Sequence, residues 1–230
     1  MLKILYILKT GIQWCYLKCK SHYTTIYKKF ICWSNLDVFG KFFSYNLDLY
    51  IKYRNNNKLY FKDLYIDASH TKNIKGSDKI GRNHYDRFRN STKSHIIIDE
   101  NKVPLSFNFT PGNCSDCNLT EELVKSMPIL SSDKRRRCNL IADKGYISEE
   151  TYTKLLKNRI CLIYPLRKNA KNKNKYSKQK KIKLKNRYLV EFFFNDIDKK
   201  RRILNRYERY CKHFISYNVL AFNYFILKEL

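Results

Sequence analysis

An α/β fold, a sheet flanked by helices and preceded by a small helical module, is predicted from three observations. Apolar residues recur at helical spacing over 1–58, short β-type runs alternate with helical patterns from residue 59, and a long helical pattern closes the chain. A chain of 230 residues with 43% hydrophobic content can bury one ordinary core.

Taken in order, Ile4, Leu5, Leu8 and Ile12 share one helical face. MLKILYILK reads as a core helix and not as a signal peptide, because Lys3 and Lys9 interrupt it and no small-residue cleavage site follows. After a break near Ser21, Ile26, Tyr27, Phe30 and Ile31 mark a basic second helix, for which Thr24 and Thr25 offer an N-cap. The arrangement suits helix-turn-helix docking and plain helical packing alike. Strands are predicted in YFKDLYIDAS, KSHIIIDE, PLSFNFTPG, CNLIADKG and ICLIYPLR. Helices are predicted from about Ser115 to Met127 and from about Ser148 to Asn158, each opened by a serine able to cap its first turn. Between Pro165 and Asn186 lie nine lysines, Arg167 and no acidic residue, so a basic mobile loop is expected near 165–186. From Arg187 to Leu230 one helix or a broken pair closes a domain of residues 59–230.

Charge points to the partner. With 47 Lys+Arg against 20 Asp+Glu the formal net charge is +27, more than solubility requires, and such a chain attracts polyanions. Composition alone leaves open a DNA binder, a ribosomal-type RNA binder and a membrane-surface protein. No stretch approaches the roughly 18 uninterrupted apolar residues of a membrane span, so no membrane partner is expected. The eight cysteines lack the regular framework of a small secreted domain and read as reduced thiols of an intracellular protein. Cys114 and Cys117 form a single C-x-x-C without a second pair at zinc-finger distance, which argues against a zinc site.

Three carboxylates stand where apolar neighbours make an ionised group costly. Asp67 follows Leu64, Tyr65 and Ile66 at or near a strand end, and Asp143 follows Leu140, Ile141 and Ala142 in the same way. Two strand-end aspartates invite a shared cation, although either alone also suits a solvated turn. Glu191 lies among Leu189, Val190, Phe192 and Phe193, and Arg187 and Asn195 share its helix face at i−4 and i+4. That stripe also suits an Arg–Glu pair on a wet surface.

In order and spacing, the blocks IDAS, TKSHIIID, PLSF, TPGNCSD, LIADKGY and RYLVEFFFNDIDKKRRILNRY resemble those of DDE transposases of the insertion-sequence-five type. TGIQWCYL and TIYKKFICW resemble the helical leader of that group. The resemblance implies a ribonuclease-H-like sheet, with Asp67 on its first strand, Asp143 on its fourth and Glu191 on a helix packed beside it. It also implies strand cleavage and strand transfer at the ends of an insertion-sequence element.

Phosphodiester displacement needs an activated oxygen nucleophile, a stabilised leaving oxygen and neutralised charge, which two Mg²⁺ about 3.5–4 Å apart supply, with Mn²⁺ as a substitute. Asp67 is assigned as the bridging ligand, with Asp143 and Glu191 on one metal each. Water attacks first to expose a 3′-hydroxyl, which then attacks target DNA. Double-stranded DNA, both element ends and target, is the expected partner of a homo-oligomer assembled on it, in the cytoplasm or nucleoid of a bacterium, or otherwise in a nucleus or viral factory. Lys93, Lys144, Arg187, Asn195, Lys199, Arg201 and Arg202 are the expected DNA contacts, together with Lys134 to Arg137, Lys200 and the basic loop.

The chain departs from the family pattern at three places. Asp198 stands seven residues after Glu191, where the family has lysine; Leu184 stands where it often has tyrosine; and Ser115 replaces a histidine before Asp116. Two alternatives therefore stay open: a DNA-binding remnant with weakened or no catalysis, and another ribonuclease-H-like nuclease such as a resolvase.

Overall fold

The alternation of patterns becomes a seven-stranded sheet in a computed structural model, which describes residues 1–57, 59, 61–84, 86–128, 137–146, 148–165 and 178–230. Leu64, Tyr65 and Ile66 are all buried in β1 (Asp63–Asn73), as are Ile96, Ile97 and Ile98 in β3 (Arg89–Ile98). Runs of consecutive buried residues, not alternation, mark strands covered on both faces. β3 lies antiparallel both to β1 and to β4 (Pro104–Pro111). On its other edge β1 is parallel to β5 (Cys138–Ile141), which is parallel in turn to β6 (Ile160–Ile163). Two short strands complete the sheet, β2 (Gly81–Asn83) beside β3 and β7 (Asn205–Arg206) beside β1. The sequence predicts neither, since two or three residues carry no period.

The mixed sheet flanked by helices is the ribonuclease-H-like fold that the resemblance implies. α4 (Cys117–Lys125) and α5 (Glu149–Lys157) form where expected, and Ser148 Oγ accepts the Thr151 N–H at the start of α5. Within the lysine-rich segment, residues 166–177 lie outside those described. The expectation of a loop fails for the remainder, because Lys178–Lys185 form a helix, α6, with no buried residue. Lysine, glutamine and leucine are all good helix formers. The closing pattern is a broken pair: α7 (Tyr188–Asp198) and α8 (Cys211–Glu229) stand on either side of β7.

The amino-terminal residues form α1 (Leu2–Thr10), α2 (Tyr23–Asn35) and α3 (Val38–Asn56). Thr24 and Thr25 do not cap α2, which already begins at Tyr23, and the Thr24 hydroxyl lies 2.8 Å from His22 Nδ1. A third helix appears because the chain breaks at Asp37, in the left-handed region at φ 52°. The 58/59 boundary is a change of pattern within one continuous core. Phe30 stacks on Tyr217 of α8 at 4.4 Å, Phe43 meets Phe107 edge-on at 5.3 Å, and Asn46 Nδ2 donates to Asn223 Oδ1 at 2.7 Å. α1 is tied to the segment after α7 at Gly11, whose φ is 70° and where a Cβ would come within 3.0 Å of Arg201 Cβ. Only glycine meets both demands.

Candidate active site

Strand register brings the two aspartates together. Tyr65 of β1 is the parallel partner of Ile141, the last residue of β5. Asp67 and Asp143 each follow by two residues, so the register sets them level where the ladder ends, and Asp143 acts on Asp67 as a neighbouring like charge. Asp67 does not end its strand, as the sequence suggests, but is the fifth of eleven residues in β1. What ends there is β5. Beyond it the edge of β1 has no strand partner among the described residues until β7 pairs with Lys72 and Asn73. The Ala68 N–H on β1 is met by Asp67 Oδ1 at 2.9 Å. The opening thus lies at the carboxyl ends of parallel strands, where open α/β sheets bind ligands.

α7 packs beside β1 and supplies the third carboxylate. Arg187, at the cap of α7, joins it to the first: Nη1 donates to Asp67 Oδ2 at 2.9 Å, and Nη2 to Glu191 Oε1 at 2.6 Å. Burial pushes the Asp67 carboxyl above its ordinary range, and the nearby Asp143 and Asp116 push it the same way, against the Ala68 amide and the Arg187 cation. Hard carboxylate oxygens gathered in this way fit a hard divalent cation. Among the described residues no three His, Cys, Asp or Glu side chains converge as a metal cage, and the Arg187 guanidinium lies between Asp67 and Glu191. For Glu191 to share a cation with Asp67, this guanidinium must turn aside.

Sequence reasoning did not single out Asp116, which precedes α4. Its Oδ1 lies 2.5 Å from Lys93 Nζ and 3.5 Å from Nδ1 of the fully buried His95. Burial holds His95 at about 4, below the usual imidazole range, so the ring is neutral at pH 7. His95 Nε2 in turn lies 2.8 Å from Thr110 Oγ1. Tyr146 is buried within the field of Asp116, Asp67 and Asp143, and its hydroxyl is pushed well above the ordinary value, first by burial. The available signal was the run Thr92, Lys93, Ser94 and His95 inside a strand, since four successive polar residues there need buried partners.

The expected DNA contacts divide into two groups. Lys144, Asn195, Lys199 and Arg201 are exposed, while Lys93 and Arg202 are turned inward. Lys93 serves Asp116, and Arg202 pairs with Glu208 through Nη2 at 2.7 Å. Lys199 Nζ reaches Asp196 at 2.6 Å. Of the run before β5, Arg137 is described and exposed, whereas Lys134, Arg135 and Arg136 lie outside the described residues. No two of the described cysteines are joined in a disulfide, and no described helix is long and apolar enough to cross a membrane.

Residues 62–218 match the family described as Transposase DDE domain. No curated protein matches the chain. Among solved structures, the piggyBac transposase synaptic complex with hairpin DNA is similar at 17% identity and a TM-score of 0.37, over 50% of this chain and 26% of that one. The catalytic domain of Mos1 mariner transposase is similar at 7% identity and a TM-score of 0.35, over 81% of this chain and 91% of that one. The chain thus spans about a quarter of the piggyBac chain's length.

Proposed function

The chain belongs to the family of transposase DDE domains, and on that premise we propose that it is a transposase of the insertion-sequence-five type, which cleaves DNA at element ends and joins the exposed 3′-hydroxyl to target DNA. The observation that carries this reading is the level placement of Asp67 and Asp143 beside an unpaired stretch of β1, with Arg187 linking Asp67 to Glu191.

Asp67, Asp143 and Glu191 would hold two Mg²⁺ or Mn²⁺. When bound, such a pair activates the attacking oxygen, stabilises the leaving oxygen and offsets the charge on phosphorus. β1 carries Asp67 and the segment after β5 carries Asp143, while Glu191 and Arg187 sit one helical turn apart on α7 and at its cap. Released from the carboxylates, Arg187 can form a two-pronged contact with a DNA phosphate, which suits its planar donors. Lys144, Asn195, Lys199 and Arg201 contact the backbone from the exposed side and set register without reading bases. Assembly as a homo-oligomer on DNA belongs to the same proposal.

The test is Mg²⁺-dependent nicking of supercoiled plasmid, followed by joining of a pre-cut 3′ end to target DNA. Nicking and joining together support the transposase reading, and nicking without joining favours a resolvase-like nuclease. Salt-sensitive DNA binding with neither activity favours the remnant, a reading supported by Asp198 at the family's lysine position.

A further inference from the structure

A second concave surface lies between α2 and the start of α8, with a volume of about 940 Å³. Its walls are aromatic. Trp14 meets Tyr27 edge-to-face with ring centroids 5.2 Å apart, and Tyr210 stands edge-on to His213 at 5.9 Å. Tyr27, Tyr207 and Tyr210 are 40%, 44% and 48% exposed, so folding leaves three large rings partly in water at one place.

The lining also holds buried polar groups. Glu208 and His213 are each only 8% exposed. Arg202 occupies Glu208 Oε1, while Glu208 Oε2 and His213 Nε2 have no hydrogen-bond partner among the described residues. Burial lowers the His213 pKa, keeping the ring neutral and able to donate or accept according to its tautomer. Buried polar atoms without partners destabilise the fold unless a ligand satisfies them. Lys28 and Arg209 stand exposed among the lining residues.

Flat walls, a carboxylate oxygen and an imidazole nitrogen inside, and cations at the edge together fit a planar heterocycle with N–H donors on an anionic backbone. We infer that this groove takes one unpaired base of the bound DNA, an amino-bearing base that stacks against Tyr27 or Tyr210 and donates its exocyclic N–H to Glu208 Oε2. The inference rests on the DNA-binding reading above. A second copy of a chain carrying +27 would bring like charge against Lys28 and Arg209, which disfavours it as the occupant. The groove is within reach of the carboxylates, because β7, two residues before Glu208, joins β1 at Lys72, five residues beyond Asp67 or roughly 17 Å of strand.

The test titrates the full chain into a short thymidine oligonucleotide carrying one central 2-aminopurine, whose fluorescence falls on stacking. Anisotropy of a labelled duplex is followed in parallel. The wild-type chain should quench the 2-aminopurine and prefer this oligonucleotide to plain oligothymidine. Tyr27→Ala combined with Tyr210→Ala should lose the quenching, and Glu208→Gln, which keeps an oxygen for Arg202, should lose the preference. Binding to the duplex without quenching, or quenching unchanged in folded Tyr variants, overturns the inference while leaving the DNA-binding reading intact. Binding to neither DNA removes both. A DNA-independent dimer dissolved by Tyr27→Ala assigns the groove to a second copy and overturns the inference as well.

Discussion

At the scale of single residues, the site is held by opposed charges around one guanidinium. Asp67→Ala, Asp143→Ala and Glu191→Ala should each abolish Mg²⁺-dependent cleavage and leave duplex affinity nearly unchanged, because carboxylates hold metal and exposed cations hold phosphate. Wild-type cleavage by any one of them takes that residue out of the site. Asp143→Ala should also raise the melting temperature or leave it unchanged, since Asp143 acts on Asp67 as a like charge. Arg187→Ala has a different signature. It removes the cation that pairs with both Asp67 and Glu191, so metal-dependent protection against unfolding should strengthen while DNA affinity and joining fall. Weaker metal protection in this variant would assign Arg187 a purely structural role.

Elements decide which residues meet, and here the sequence is only partly legible. The apolar runs of β1, β3 and β5 were readable because burial on both faces leaves continuous stretches of Ile, Leu and Tyr. The level placement of Asp67 and Asp143 was not, because it depends on a parallel register set by residues 76 positions apart. Lys93 and Arg202 read as surface cations because their partners, Asp116 and Glu208, become neighbours only through folding or a local turn. α7 gives a prediction of its own. Asp198 lies seven residues and nearly two turns beyond Glu191, so it projects from almost the same face, where a lysine would reach phosphate. Lys199 is rotated by about 100° from it and engages Asp196. Asp198→Lys should therefore increase joining rate and affinity for cleaved ends, with the affinity gain shrinking at high salt, whereas Lys199→Ala should cost only the affinity of one backbone contact and leave the joining rate of bound ends unchanged. The reverse outcome assigns the family's role to Lys199. The junction of α3 with the end of β3 gives another. Asp99 is fully buried, accepts the Tyr50 hydroxyl at 2.5 Å and the Val103 N–H at 2.9 Å, and pairs with Arg54, which also binds Glu100. Burial nevertheless pushes its carboxyl up to about 7. A folded-state value above the unfolded one means that this group's stabilisation is complete below about pH 4 and is lost as pH rises through 7. The unfolding free energy of the wild type relative to Asp99→Asn should accordingly fall by a few kcal/mol between pH 4 and pH 7, as denaturant melts would measure. A pH-independent difference refutes the shift.

Over the whole molecule, a net charge of +27 acts through those cations that face solvent, and the structure separates them from those that hold the fold. Duplex affinity should fall steeply with salt, with a slope of about −0.9 in log K against log[salt] for each phosphate neutralised. Lys144→Ala and Arg201→Ala remove exposed cations and should each make the slope shallower by close to one contact, at little cost in stability. Arg202→Ala should do the opposite. It leaves Glu208 buried without its partner, a loss of roughly 3–5 kcal/mol for a broken buried pair, while the salt slope of the protein that remains folded stays that of the wild type. Lys93→Ala should also leave the slope unchanged and lower stability, but by less, because its partner Asp116 at the start of α4 is partly exposed. If Arg202→Ala or Lys93→Ala flattens the slope without lowering the melting temperature, these inward cations turn outward on DNA. The division between fold-holding and phosphate-holding charge would then have to be redrawn for the bound state.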